Sequence, residues 1–135
     1  MKKYSLLDRA KYDFKLAMLG YQHYSGDAAE LDLVGYHLQQ TVEKIMKYEM
    51  SQMGCKFSFV HQLDFLYQEM LDCGLQPPDW ILNHYDFFNR CATQSRYHDS
   101  LVTTKVVIDM LVPLVRDYLE DIIHKDRVNN GFTYE

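Results

Sequence analysis

Gln40, Glu43, Lys44 and Lys47 recur at three- and four-residue spacing, so on a helix they form one polar row. Two ammonium groups, a carboxylate and a carboxamide on one shoulder can neutralise phosphate and hydrogen-bond a base or a backbone. A second group, Arg90 with Arg96, Tyr97, His98 and Asp99, crowds the junction between two helical segments. There a guanidinium can grip phosphate through two bonds, and an imidazole can move a proton from a 2′-hydroxyl. Each group also has a plainer reading: the row as the solvated shoulder of a bundle helix, and the junction as an arginine on helix carbonyls beside a surface histidine.

Other chemistries lack their residues. A di-metal carboxylate bundle needs Glu-x-x-His on two helices. The chain has none, and Asp121-x-x-His124 stands alone, as a solvated helix terminus would. No Gly-rich phosphate loop precedes a helix. Cys55, Cys73 and Cys91 lie far apart without close Cys or His neighbours, which argues against a disulfide framework or a zinc site and predicts three reduced thiols. No metal and no cofactor is expected.

The composition bounds the partners. With 135 residues and an apolar fraction of 47%, the chain can build one core. Its apolar runs, such as Val106-Val107-Ile108, are far shorter than a membrane span of about 20 residues, and the first residues lack a secretory apolar stretch. A soluble, cytoplasmic protein with no membrane association is the expectation. The net charge of -5 cannot draw the whole molecule to nucleic acid, so any such contact needs a local basic patch. Eleven tyrosines and seven methionines fit two readings, gap-filling between helices or a self-association surface.

Helical periodicity must position these groups. Leu6, Ala10, Phe14, Ala17, Met18 and Tyr21 predict a first helix over about Ser5–Tyr24, ended by Gly26. Asp27, with Glu30 three residues on, predicts an acidic capping box for a long second helix over Ala28–Met53. A short third helix, His61–Cys73, stops at Gly74 before Pro77-Pro78. A fourth, capped by Asp79, covers Trp80–Gln94 with His84, Tyr85, Phe88 and Cys91 on one side. The fifth runs from Leu101 to Lys125 behind a cap at Asp99 or Ser100, with a kink or break expected at Pro113. Residues 1–125 are read as one domain and 126–135 as a frayed polar tail. The expected fold class is all-α, an up-down four-helix bundle with an additional short helix.

Three features in this order resemble the HEPN domains (higher eukaryotes and prokaryotes nucleotide-binding). They are the Gln-x-x-Glu-Lys-x-x-Lys pattern Gln40–Lys47, the His61-Gln62-Leu63 start of the third helix, and Arg96-Tyr97 before the last. The resemblance covers about Arg9–Glu120. It implies a HEPN-like bundle, commonly a homodimer, often encoded with a nucleotidyltransferase partner as a toxin–antitoxin pair. Ribonuclease members use an Arg, four to six intervening residues and a His. Here seven residues separate Arg90 from His98, and seven separate Arg116 from His124. On an unbroken helix those eight steps span about 12 Å, too far for both groups to touch one phosphate. The expectation is therefore a non-catalytic module that binds nucleotide, RNA or a nucleotidyltransferase through Gln40, Glu43, Lys44, Lys47 and Arg96. The alternatives are a metal-independent endoribonuclease using Arg90 or Arg96 with His98, and a dimeric helical scaffold without ligand.

Overall fold

Ser5 opens the first helix with a reciprocal cap, its hydroxyl accepting from the Asp8 amide at 3.0 Å while the Asp8 carboxylate accepts from the Ser5 amide at 3.1 Å. The protein is described by a computed structural model covering residues 5–93 and 101–131. Its helices are α1 (Leu6–Gln22), α2 (Ala28–Gln52), α3 (Leu63–Asp72), α4 (Trp80–Ala92) and α5 (Leu101–Asp126), followed by a π-helical turn, Arg127–Gly131. The fold is all-α: no strand occurs among the described residues. No described helix is long and apolar enough to cross a membrane.

α2 is the hub, packed against α1, α3, α4 and α5. Its buried face carries Leu31, Val34, Leu38, Val42, Ile45, Met46 and Met50, the spacing read from the sequence. α1 runs antiparallel to α2, with Gly20 against Val34 at one end and Asp13 reaching His37 and Lys44 further along. α5 supplies Ile108, Leu111, Val112, Val115, Leu119 and Ile122 to the same core. Gly35 sits where α4 crosses α2, and a Cβ there would lie 2.7 Å from Cys91 Sγ. Only a residue without a side chain permits that approach.

Several local expectations are corrected. Asp27 caps α2 through the Ala29 amide at 2.9 Å, but Glu30 turns to Ser25, accepting from its amide at 2.8 Å and its hydroxyl at 2.9 Å. Asp79 stands at the start of α4 without a side-chain cap, its backbone already helical. α3 begins two residues later than predicted, at Leu63, whose amide is capped from α4 by Asn89 Oδ1 at 2.9 Å. On α4, Phe87 points inward and Tyr85 faces solvent, which shifts the buried face toward Ile81, Phe87, Phe88 and Cys91. α5 continues unbroken through Pro113, which lies on its exposed side, where water can satisfy the Asp109 carbonyl. The start of the tail is ordered as the π-helical turn.

The cysteine reading is also corrected. Cys55 and Cys73 form a disulfide, and Cys91 is buried outside it. α2 and α3 both end at a left-handed glycine, Gly54 with φ +73° and Gly74 with φ +88°, and the two chain reversals bring the cysteines together.

Candidate functional site

The polar row of α2 divides in two. Residues 39, 43 and 47 turn toward the connector between α2 and α3, whereas 37 and 44 turn toward α1. A period of 3.6 makes this possible, because adjacent positions lie about 100° apart around the helix. Gln40 belongs to the first half, donating from Nε2 to Gln39 Oε1 at 2.7 Å.

Glu43 is the centre of the first half. Its Oε2 accepts from Lys47 Nζ at 2.9 Å, and its Oε1 accepts from Gln39 Nε2 at 2.9 Å and pairs with His61 Nδ1 at 2.9 Å. Burial pushes the Glu43 carboxyl up, but hydrogen bonds from Lys47, His61 and Gln39 more than offset it and hold the group below the ordinary glutamate value. Gln39 also donates to the His61 carbonyl at 3.1 Å, tying the connector to α2 a second time. Lys47 is buried with its partner and lies 5.8 Å from the Phe57 ring centroid. The His61 side chain is 65% exposed against 5% for Glu43, so an ionised carboxylate fixes the proton on Nδ1 of an imidazole whose remainder meets solvent.

Asp13 is the centre of the second half. Buried on α1, it takes the Lys44 ammonium on one oxygen and His37 Nδ1 at 3.0 Å on the other. Beside it a shallow hollow of about 430 Å³ is lined by Arg9, Tyr12, Asp13 and Lys44. Tyr12 is 52% exposed. Two cations from two helices thus share the hollow with an exposed aromatic ring and a carboxylate, to which Lys44 is paired. Such a set can hold phosphate and stack a base.

The predicted residues are accordingly not one surface. Lys44 borders the hollow, Gln40 bonds to Gln39, and Glu43 with Lys47 form a buried ion pair. Arg90 is exposed on α4 and meets Asp86 of its own helix at 3.5 Å. Arg96 and His98, together with Tyr97 and the cap at Asp99 or Ser100, lie outside the described residues. Reading the sequence missed Arg9, Tyr12, Asp13, His37, Gln39 and His61. Of these only His61 carried a signal, as the first residue of the His61-Gln62-Leu63 pattern.

A family model for the HEPN domain matches residues 4–124. The chain belongs to the HEPN domain family. No curated protein and no solved structure matches it. In this HEPN domain the Gln-x-x-Glu-Lys-x-x-Lys signature serves two ends: Glu43 and Lys47 lock the connector onto α2, while Lys44 reaches the hollow beside α1.

Proposed function

We propose that this HEPN domain is a non-catalytic module that binds nucleotide or RNA, with the α1–α2 hollow as its phosphate and base contact. The observation that carries this reading is the meeting of Arg9, Tyr12 and Lys44 around one depression. On a chain of net charge -5, it is a local basic patch beside an exposed aromatic ring. Arg9 and Lys44 neutralise phosphate, Tyr12 stacks on the base, and Asp13 orients Lys44. Gln40 extends the contact, and Glu43 and Lys47 act through the shape of α2 and its connector.

The same reading includes self-association into a homodimer and a nucleotidyltransferase as protein partner within a toxin–antitoxin pair. Exposed Leu16 and Leu19 on α1, beside the hollow, support an interface there. The endoribonuclease alternative turns on His98 with Arg90 or Arg96; of the three only Arg90 is among the described residues, and it is exposed on α4 beside Asp86.

Fluorescence anisotropy with ATP and a short single-stranded RNA tests the proposal. Saturable binding is expected, and Arg9→Ala or Lys44→Ala should each weaken it by about 1 kcal/mol, roughly fivefold. Absence of saturable binding to either probe would reject the reading. RNA left intact in the presence of EDTA separates binding from metal-independent cleavage.

A further inference from the structure

We infer that the Cys55–Cys73 disulfide is a thiol–disulfide exchange site whose opening by a dithiol reductant releases the connector between α2 and α3. The inference stands independently of any nucleic-acid ligand, because it concerns what holds residues 55–62.

That segment is anchored at four places. The disulfide fixes its start to the end of α3. Ser58 is held by Glu69 of α3, its hydroxyl donating at 2.8 Å and its amide at 3.1 Å. Phe57 lies against the Lys47 ammonium, and His61 is bound to Glu43 and Gln39 of α2. Three of these anchors are non-covalent and reversible, so the covalent one sets how long the segment stays down.

The sulfurs are within reach of a reductant. A hollow of about 370 Å³ is lined by both Cys55 and Cys73 together with Lys56, Glu69 and Asp72. Both cysteines are half-buried rather than enclosed, in contrast to Cys91. Lys56 brings one cation to this hollow and Glu69 and Asp72 two carboxylates, so the protein thiolates gain no net electrostatic stabilisation and the attacking thiolate is the reductant's. In the exchange, one thiolate of the dithiol attacks a protein sulfur, the S–S bond breaks, and the other protein sulfur leaves as thiolate. The second thiol of the reductant then resolves the mixed disulfide. Two electrons pass to the protein, the reductant leaves as its own disulfide, and both cysteine sulfurs take up protons.

The elements themselves do not depend on the bond. α2 and α3 end in their own backbone closures, with the Cys55 amide donating to Met50 O at 3.0 Å and the Leu75 amide donating to Met70 O at 2.9 Å. Reduction therefore loosens the connector and leaves the helices.

Lys56 is an exposed trypsin site inside the connector and reports on it directly. Full-length protein purified without reductant should take one iodoacetamide label after denaturation, at Cys91, and three after reduction. Reduction of the native protein should leave the circular dichroism unchanged and speed cleavage after Lys56 about tenfold. Cys55→Ser and Cys73→Ser should each match the reduced protein and no longer respond to reductant. Three labels without reductant, equal cleavage in both states, or loss of helicity on reduction would each overturn the inference.

Discussion

Two glutamates six residues apart on α2, Glu43 buried and Glu49 half-buried, meet opposite fates, and the difference lies in their donors. Glu43 has three donors, including an ammonium, and is held below its ordinary value of 4.5 despite burial. Glu49 is raised, because burial outweighs the single hydroxyl it accepts from Tyr118 at 2.8 Å. Glu43→Gln should destabilise the fold by about 3 kcal/mol, since Lys47 is left as a buried charge without its counterion. Glu49→Gln keeps an acceptor for Tyr118 and removes an ill-solvated charge, so it should lie within about 1 kcal/mol of the parent or above it. The pH dependence follows with opposite signs. The Glu43 contribution is complete above pH 4.5 and is lost as pH falls through its lower folded-state value. The Glu49 penalty is relieved earlier, as pH falls from its raised folded-state value toward 4.5. Urea denaturation of both variants between pH 7 and 3 checks this: Glu43→Gln should flatten the acid limb, and Glu49→Gln should remove the relief above it. Identical pH profiles for the two would contradict the assignment.

At the scale of the helices, Gly35 of α2 lies under Cys91 of α4, and it makes a test of packing against propensity. Alanine is the better helix former by about 1 kcal/mol. Its Cβ would nevertheless sit 2.7 Å from the Cys91 sulfur, so α2 and α4 must separate. Gly35→Ala should cost about 2 kcal/mol. In a Cys91→Ala background the next neighbour is Phe87 at 3.7 Å, and the same change should be neutral or stabilising by up to about 1 kcal/mol. A double-mutant cycle by denaturant titration measures that reversal, and additive effects would mean that the sulfur is not the obstacle. The helices themselves were legible, because the apolar spacing of α2 and the glycines after α1, α2 and α3 are local signals. Their polar contacts were not. Residues 40–47 read as one row, yet Asp13 and His61, distant in the chain, draw Lys44 and Glu43 to different sides. The Cys55–Cys73 pair, 18 residues apart, depends on two chain reversals whose mutual placement only the packed helices determine. Glu30 likewise had the spacing of a capping box and found Ser25 instead, because spacing does not choose between competing donors.

For the molecule as a whole, the proposed contact places a small basic hollow on an acidic body, and salt should separate the two contributions. Two phosphate contacts, through Arg9 and Lys44, on a single strand predict a slope of about −1.4 for the logarithm of the RNA binding constant against that of salt concentration. This should hold above about 0.1 M, where the screening length of about 10 Å confines each charge to its surroundings. Below it, the field of the net charge of -5 extends beyond the hollow and repels the strand, so the plot should bend toward zero slope. Lys44→Ala should lower the slope by about 0.7 while leaving the bend in place, because it removes a contact and barely changes the overall charge. Anisotropy titrations of one labelled RNA from 0.02 to about 0.5 M salt separate these regimes. A slope several times steeper would mean a broader basic surface than the α1–α2 hollow. A slope of zero for the parent protein would mean that the hollow makes no phosphate contact, and the functional proposal would fall with it.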